Sequence, residues 1–181
     1  STACLGAPFL LSGMVVTIAL TRTGGSIGKL YAADLLGAAL GCLLVIPLLG
    51  SSNISSVALV AAALAALAAW CFHRFGGTKG TSTFVLAASL AILAAFNAQL
   101  EQGLGVVYSK NRNLRAEFQV GWSAWNAHSY VIITRPEEGD AYYWGPGTGS
   151  EKFTATSSMV LIDGEAGTPI TRWDGEVSSL D

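Results

Sequence analysis

Side chains able to do chemistry are few in this chain and widely spaced. His73 and His128 are its only histidines. Ser157 and Ser158 lie outside any Gly-x-Ser-x-Gly setting, and with His128 as the one histidine of the second half, no hydrolase triad can be assembled. Cys71 and His73 are two residues apart, hence on different helix faces, so spacing yields no metal cluster. Cys4, Cys42 and Cys71 lie in or beside apolar runs, where a thiol acts as a small hydrophobe, and their odd number argues against a disulfide framework. Gly145-Pro146-Gly147-Thr148-Gly149 has the glycines of a phosphate loop, but it contains proline and opens no helix. Glu137, Glu138 and Asp140 read as a solvated turn. Asp34, the one acid of the first hundred residues, has two readings. It is an interfacial carboxylate paired with Lys29 or Arg22, or it serves a transport or proton-relay path.

The elements that must carry these groups fall into two solvents. Of the 181 residues, 10 are basic and 12 acidic, yet residues 1–100 hold only Arg22, Lys29, Arg74 and Lys79 against Asp34. The remainder has 6 basic and 11 acidic groups. The first half has the composition lipid selects, the second the mixture water selects. No Lys/Arg cluster could neutralise a run of phosphates, which excludes nucleic acid as a partner.

Apolar runs separated by turn residues predict about four membrane helices, near 3–21, 30–49, 55–72 and 82–99, each close to the ~20 residues a bilayer requires. Thr23-Gly24-Gly25-Ser26, Gly50-Ser51-Ser52-Asn53 and Gly76-Gly77-Thr78-Lys79-Gly80 read as the loops. Pro8 and Pro47 are tolerable where neighbouring helices satisfy the freed carbonyls. Gly37 and Gly41 have the spacing for close helix packing, within the chain or in a homo-oligomer. The chain opens at Ser1 without a basic leader and so reads as an excerpt, with a C-terminal part expected beyond Asp181. Residues 1–100 are thus a transmembrane helical domain and 101–181 a soluble β-stranded segment.

In the second half four strands are expected, at Ala116–Val120, Ser129–Thr134, Ala141–Trp144 and Met159–Ile162. Arg135-Pro136-Glu137-Glu138-Gly139-Asp140 reads as the hairpin turn between the second and third. Trp122, Trp125, Tyr142, Tyr143, Trp144 and Trp173 read as sheet anchors, an interfacial belt or a ligand platform. So small a set of strands with open edges calls for something further to pack on.

Two stretches carry a family likeness. Pro8-Phe9-Leu10-Leu11-Ser12-Gly13, running on to Ile27-Gly28-Lys29-Leu30-Tyr31-Ala32-Ala33-Asp34-Leu35-Leu36-Gly37-Ala38-Ala39-Leu40-Gly41, is the first. Trp125-Asn126-Ala127-His128-Ser129-Tyr130-Val131, together with Leu161-Ile162-Asp163-Gly164-Glu165-Ala166-Gly167-Thr168-Pro169-Ile170, is the second. They resemble the bacterial membrane-bound spermidine-synthase-like proteins, in which a multi-helix hydrophobic region precedes an aminopropyltransferase-type domain. The resemblance spans about residues 8–175. It implies a multi-pass helical membrane domain followed by the small all-β N-terminal segment of a spermidine-synthase-like domain. The Rossmann-like part, which binds decarboxylated S-adenosylmethionine, and its catalytic acid are expected downstream of Asp181.

In soluble relatives a Leu-Asp-Gly turn followed by Gln helps form the substrate pocket. Asp163 and Gly164 match that turn and are the substrate-binding residues the resemblance implies. The next residue here is Glu165, and Tyr130 stands where many membrane relatives have Arg. No catalytic, cofactor or metal residue is assigned within the chain. The implied partners are the lipid bilayer and the downstream domain, and the implied reaction is aminopropyl transfer to a polyamine. A methyltransferase-like enzyme on another amine or on a lipid-soluble substrate is an equal variant, and a transporter or scaffold with a small docking β module is the alternative class. The implied location is the bacterial inner membrane with the soluble segment in the cytoplasm. The charge count over the loops, Arg22, Lys29, Arg74 and Lys79 against Lys110, Arg112 and Arg115, leans toward the opposite side.

Overall fold

A computed structural model describes residues 2–22, 26–100, 103–110, 112–141, 154–172 and 175. Its contacts divide the chain into two compact units, Ser1–Ile46 and Pro47–Asp181.

The first unit holds helix α1 (Thr2–Arg22) and most of α2 (Ile27–Ser51). Two of its hydroxyls are satisfied within α1. Thr17 Oγ1 donates to the Gly13 carbonyl at 2.7 Å and Thr21 Oγ1 to that of Thr17 at 2.7 Å, which is how hydroxyls are accommodated without water. Helix α2 buries none of its residues and presents Leu35, Leu36, Leu43 and Ile46 outward. Asp34 is exposed on this helix. Lys29, five residues earlier, points to a different side, and among the described residues Asp34 makes no ion pair. Within this unit no atom stands within 4 Å of a Cβ built on Gly37 or Gly41, so the close approach their spacing permits is not made there.

The second unit begins with a helical hairpin, α3 (Ile54–Phe75) and α4 (Thr81–Gln99). Asn53 starts α3, its Oδ1 accepting the Ser56 amide at 2.9 Å, an ordinary N-cap. The end of α3 is a Schellman turn: Gly77, at φ +77°, donates to the Arg74 carbonyl, and Thr78 N donates to that of His73 at 2.9 Å. The helices touch through small residues, Ala63 and Ala66 on one and Ala87 and Ala94 on the other, all buried. Trp70 and Phe84 pack at the turn end with ring centres 5.3 Å apart. Outward-facing Phe72, Phe75, Ile92 and Phe96 leave the hairpin apolar on its outside.

Helices α2, α3 and α4, of 25, 22 and 19 residues, are long and apolar enough to cross a membrane. The described apolar stretch of α1, Gly6–Arg22, is shorter.

Beyond the hairpin lie β1 (Tyr108–Ser109) and β2 (Arg112–Asn113), a short arm, then a one-turn helix α5 (Leu114–Glu117). A five-stranded antiparallel sheet comes next: β3 (Val120–Trp125), β4 (Tyr130–Thr134), β5 (Glu137–Asp140), β6 (Thr154–Ile162) and β7 (Ala166–Thr171). Strand β6 is its axis. On one side β4 pairs with the end of β6, Ile132 opposite Leu161, and β5 pairs with its start, Glu138 opposite Thr156. On the other side β7 pairs along most of its length.

The strand expectations fare unequally. Ser129–Thr134 and Met159–Ile162 correspond to β4 and the end of β6. Of Ala116–Val120 only Val120 lies in a strand: Asn113 Oδ1 accepts the Arg115 and Ala116 amides at 3.2 and 3.1 Å, and these bonds start a helical turn instead. The expected hairpin turn at Arg135–Asp140 is also corrected. Only Arg135-Pro136 leaves the ladder, and the chain resumes as β5 along the same partner, shifted by one residue, which is a bulge and not a reversal. There the Met159 amide finds the Thr134 hydroxyl at 2.8 Å. Ala141 is not in a strand, and the rest of the expected Ala141–Trp144 strand lies outside the described residues.

Directly paired residues share a sheet face. On one face Ile132 and Leu161 are buried with Leu114, and Val106, Phe118, Val120, Tyr130 and Met159 pack around them. The opposite face carries Trp122, Ile133 and Val160 in one row and Val131 and Ile162 in the next. Trp122, Ile162 and Ile170 are exposed there.

Candidate functional site

The two residues singled out as substrate-binding, Asp163 and Gly164, form the turn between β6 and β7. Asp163 has φ +53° and Gly164 φ +77°, and the Glu165 amide closes on the Ile162 carbonyl at 3.2 Å. Two consecutive left-handed residues make the primed turn that matches strand twist, which is why Asp-Gly occurs there. The Asp163 carboxylate then reaches sideways: its Oδ1 accepts the Tyr130 amide at 2.9 Å, while the Asp163 amide donates to the Tyr130 carbonyl at 2.8 Å. The aspartate thus extends the β4–β6 ladder by one rung, using a side-chain oxygen as the acceptor. Among the described residues no second donor reaches this carboxylate.

The arm clasps the turn from the other side. Ser109 Oγ donates to the Asp163 carbonyl at 2.7 Å, and Arg112 Nη1 donates to the Gly164 carbonyl at 3.5 Å. Lys110 Nζ stands 3.4 Å from Glu165 Oε2, both side chains about half exposed. Gly164 is itself buried, and a Cβ there would run into Leu114 Cδ2. Arg112 also bonds Glu117 Oε2 through Nε at 2.7 Å and lies 4.7 Å over the Phe118 ring. The Glu117 carboxyl is held below its usual range by the Arg112 hydrogen bond first and by the Asn113 amide second.

Beside the turn, Trp125 and Tyr130 stack with ring centres 5.1 Å apart, and the Tyr130 hydroxyl donates to Ser123 Oγ at 2.9 Å. All three belong to the core-side face. The β3–β4 loop next to them is shaped by Asn126, whose Oδ1 accepts the His128 and Ser129 amides, each at 2.7 Å. The structure therefore gathers Asp163, Gly164, Tyr130 and Trp125 at one end of the sheet, with the loop of His128 adjoining them. It does not bring Ser157 or Ser158 to His128: Ser157 Oγ pairs with Thr171 Oγ1 at 3.1 Å.

One concave space lies elsewhere. A groove of about 600 Å³ runs along the α3–α4 hairpin, lined by Ala63, Leu67, Ala87, Ala91 and Ala94 with Ser52 and Ser56 at one end. A polar cluster that composition and spacing do not single out sits at that end. Asn97 Nδ2 donates to Asn53 Oδ1 at 3.0 Å and to Ser56 Oγ at 2.8 Å, and Asn97 Oδ1 accepts the Leu104 amide at 2.6 Å. Asn97 and Ser56 are each 2% exposed. The available signal was a carboxamide within the otherwise apolar Phe96–Ala98 stretch, since a buried polar group is retained where it finds partners.

No protein family, curated protein or solved structure matches this chain.

Proposed function

We propose that the chain is the membrane region and front β segment of a membrane-anchored, spermidine-synthase-like transferase. The observation that carries this reading is the order of parts. Helices of membrane length lead into a small antiparallel sheet, and the last two strands of that sheet are joined by an Asp-Gly turn beside an aromatic pair, Trp125 and Tyr130. The family likeness of the Trp125–Val131 and Leu161–Ile170 stretches gives that turn its role. In this reading Asp163 offers its remaining carboxylate oxygen to a cationic amine, and the aromatic pair walls the channel for the carbon chain. The apolar face of the sheet, with Trp122 and Ile162 exposed, supports a further domain covering it.

Decarboxylated S-adenosylmethionine would supply the activated propyl group. In this reading its cradle belongs to the Rossmann-like part of the parent protein. No step through it is assigned to this chain. The soluble segment faces the cytoplasm in this reading, where the amine substrates are made, and the helices sit in a bacterial inner membrane.

The test uses membranes carrying the full-length parent protein, supplied with decarboxylated S-adenosylmethionine and putrescine. Aminopropyl transfer is expected, and Asp163→Asn should lower it at least about tenfold, as loss of a positioned charge does, while leaving the fold intact. Absence of transfer by the wild-type protein across a panel of diamines refutes the reading.

A further inference from the structure

One buried side chain ties the helical hairpin to the segment that leads on to the sheet. Asn97 lies near the end of α4, and its carboxamide bonds in two directions. Its nitrogen reaches back across the hairpin to Asn53 and Ser56, where α3 begins, and so fastens the two helices at that end. Its oxygen accepts the amide of Leu104, in the segment that leaves the helix. The fit is close on both sides. A Cβ on Gly103 would stand 2.6 Å from Asn97 Oδ1 and 3.0 Å from its carbonyl oxygen, so only glycine lets the backbone turn in and present the next amide.

The chain just beyond Leu104 gives this bond its consequence. Val106, two residues on, packs against the sheet core of Leu114, Ile132 and Leu161, and Leu114 N donates to the Val107 carbonyl at 2.9 Å. Two residues of extended chain span at most about 7 Å. A residue held by the helix hairpin and a residue held by the sheet are therefore separated by a tether too short to act as a free linker.

We infer that Asn97 is the coupling residue of the molecule: it fixes the end of α4, the start of α3 and the exit segment as one rigid joint, so that the sheet is carried by the membrane hairpin at a set position. This inference does not depend on the transferase reading. A joint of this kind is open to a displacement at the α3–α4 end, and any such displacement would be passed to β1 and the Asp163 turn that the arm clasps.

The experiment measures hydrogen exchange of the whole chain in lipid nanodiscs, following the 103–108 segment and β4 separately, together with spin-label distances between position 92 on α4 and position 139 on β5. Both labelled sites are exposed. In wild type the Leu104 amide is expected to be protected and the distance distribution narrow. Asn97→Ala, which cuts the joint from the helix side, and Gly103→Ala, which cuts it from the connector side without altering a helix, should each speed exchange at 103–108 roughly tenfold or more and broaden the distances. Strand β4 should keep its protection in both. Ser56→Ala removes one bond across the hairpin and leaves the Leu104 bond, so the connector should stay protected. The inference is overturned if wild-type Leu104 exchanges freely, if Gly103→Ala leaves distances and exchange unchanged, or if β4 loses protection together with the connector, which would make Asn97 a general stabiliser and not a joint.

Discussion

Gly164→Ala isolates the contact between the turn and the arm. Gly164 has φ +77°, where an L side chain costs about 1–2 kcal/mol. The added methyl also enters the space of Leu114 Cδ2, and Leu114 is 1% exposed at the centre of the sheet core. Forcing a methyl into a closed core costs about 1–3 kcal/mol, so the sum is about 2–5 kcal/mol. A core of three buried residues with five partly buried neighbours has little in reserve, since small domains hold only about 5 kcal/mol at the low end. Exchange of the β4 amides, measured on the full chain in nanodiscs, should therefore accelerate at least about thirtyfold, at 1.4 kcal/mol per decade. Gly139→Ala is the internal standard. Gly139 lies in β5 with no atom within 4 Å of a built Cβ and no left-handed φ, and its substitution should stay within about 0.5 kcal/mol. If the clash is the cause, Leu114→Ala combined with Gly164→Ala should cost less than the two single changes together, because the methyl then has room. Equal effects of Gly164→Ala and Gly139→Ala, or strict additivity with Leu114→Ala, would refute the seating of Leu114 on this turn.

Asp163 separates folding from charge: Asp163→Asn retains the Oδ1 that accepts the Tyr130 amide and tolerates φ +53°, so urea denaturation should place it within about 0.5 kcal/mol of wild type. Asp163→Ala loses that acceptor and the tolerance together and should cost about 1–3 kcal/mol. At the other end of the chain, Gly80→Ala should open the α3–α4 turn, since Gly80 has φ +57° and its Cβ would lie 2.6 Å from that of His73; faster exchange at Thr78 and Lys79 is the readout. Acidification should loosen the arm through Glu117. Its folded pKa lies below the ordinary glutamate value, so its contribution is present above that ordinary value and is lost as pH falls through the lower folded one. Glu117→Gln should abolish this dependence, measured by exchange over α5 between about pH 3 and 6.

The helices were legible because their stops are chemical. The expected span 82–99 became Thr81–Gln99. The span 55–72 became Ile54–Phe75, running through polar His73 and Arg74 because the stop is the left-handed Gly77 and not polarity. Tyr130–Thr134 was legible as a run of β-formers. Glu137–Asp140 was not, because nothing in Glu-Glu-Gly-Asp favours a strand. It is one since the start of β6 offers unpaired backbone groups beside it, a tertiary cause that outweighs local preference. β3 was hidden by Gly121 at the bulge between Val120 and Trp122, and β7 by Pro169 and Gly167, which it carries while pairing with β6 alone.

The Asp163-Gly164 turn shows where local reading stops. Asp-Gly announces a primed turn from two letters, yet the reason Gly164 admits no side chain is Leu114, fifty residues earlier, and the partner of Asp163 Oδ1 is Tyr130, thirty-three residues earlier. One carboxylate oxygen is therefore committed to the sheet before any ligand arrives, and the backbone around it is fixed by the arm. A group so anchored loses little freedom on meeting a cationic partner, which is the condition for positioning. The same anchoring makes substitution informative: under the proposed transferase reading a change that keeps Oδ1 and removes the charge acts on the amine alone, whereas a change that removes Oδ1 acts on the fold.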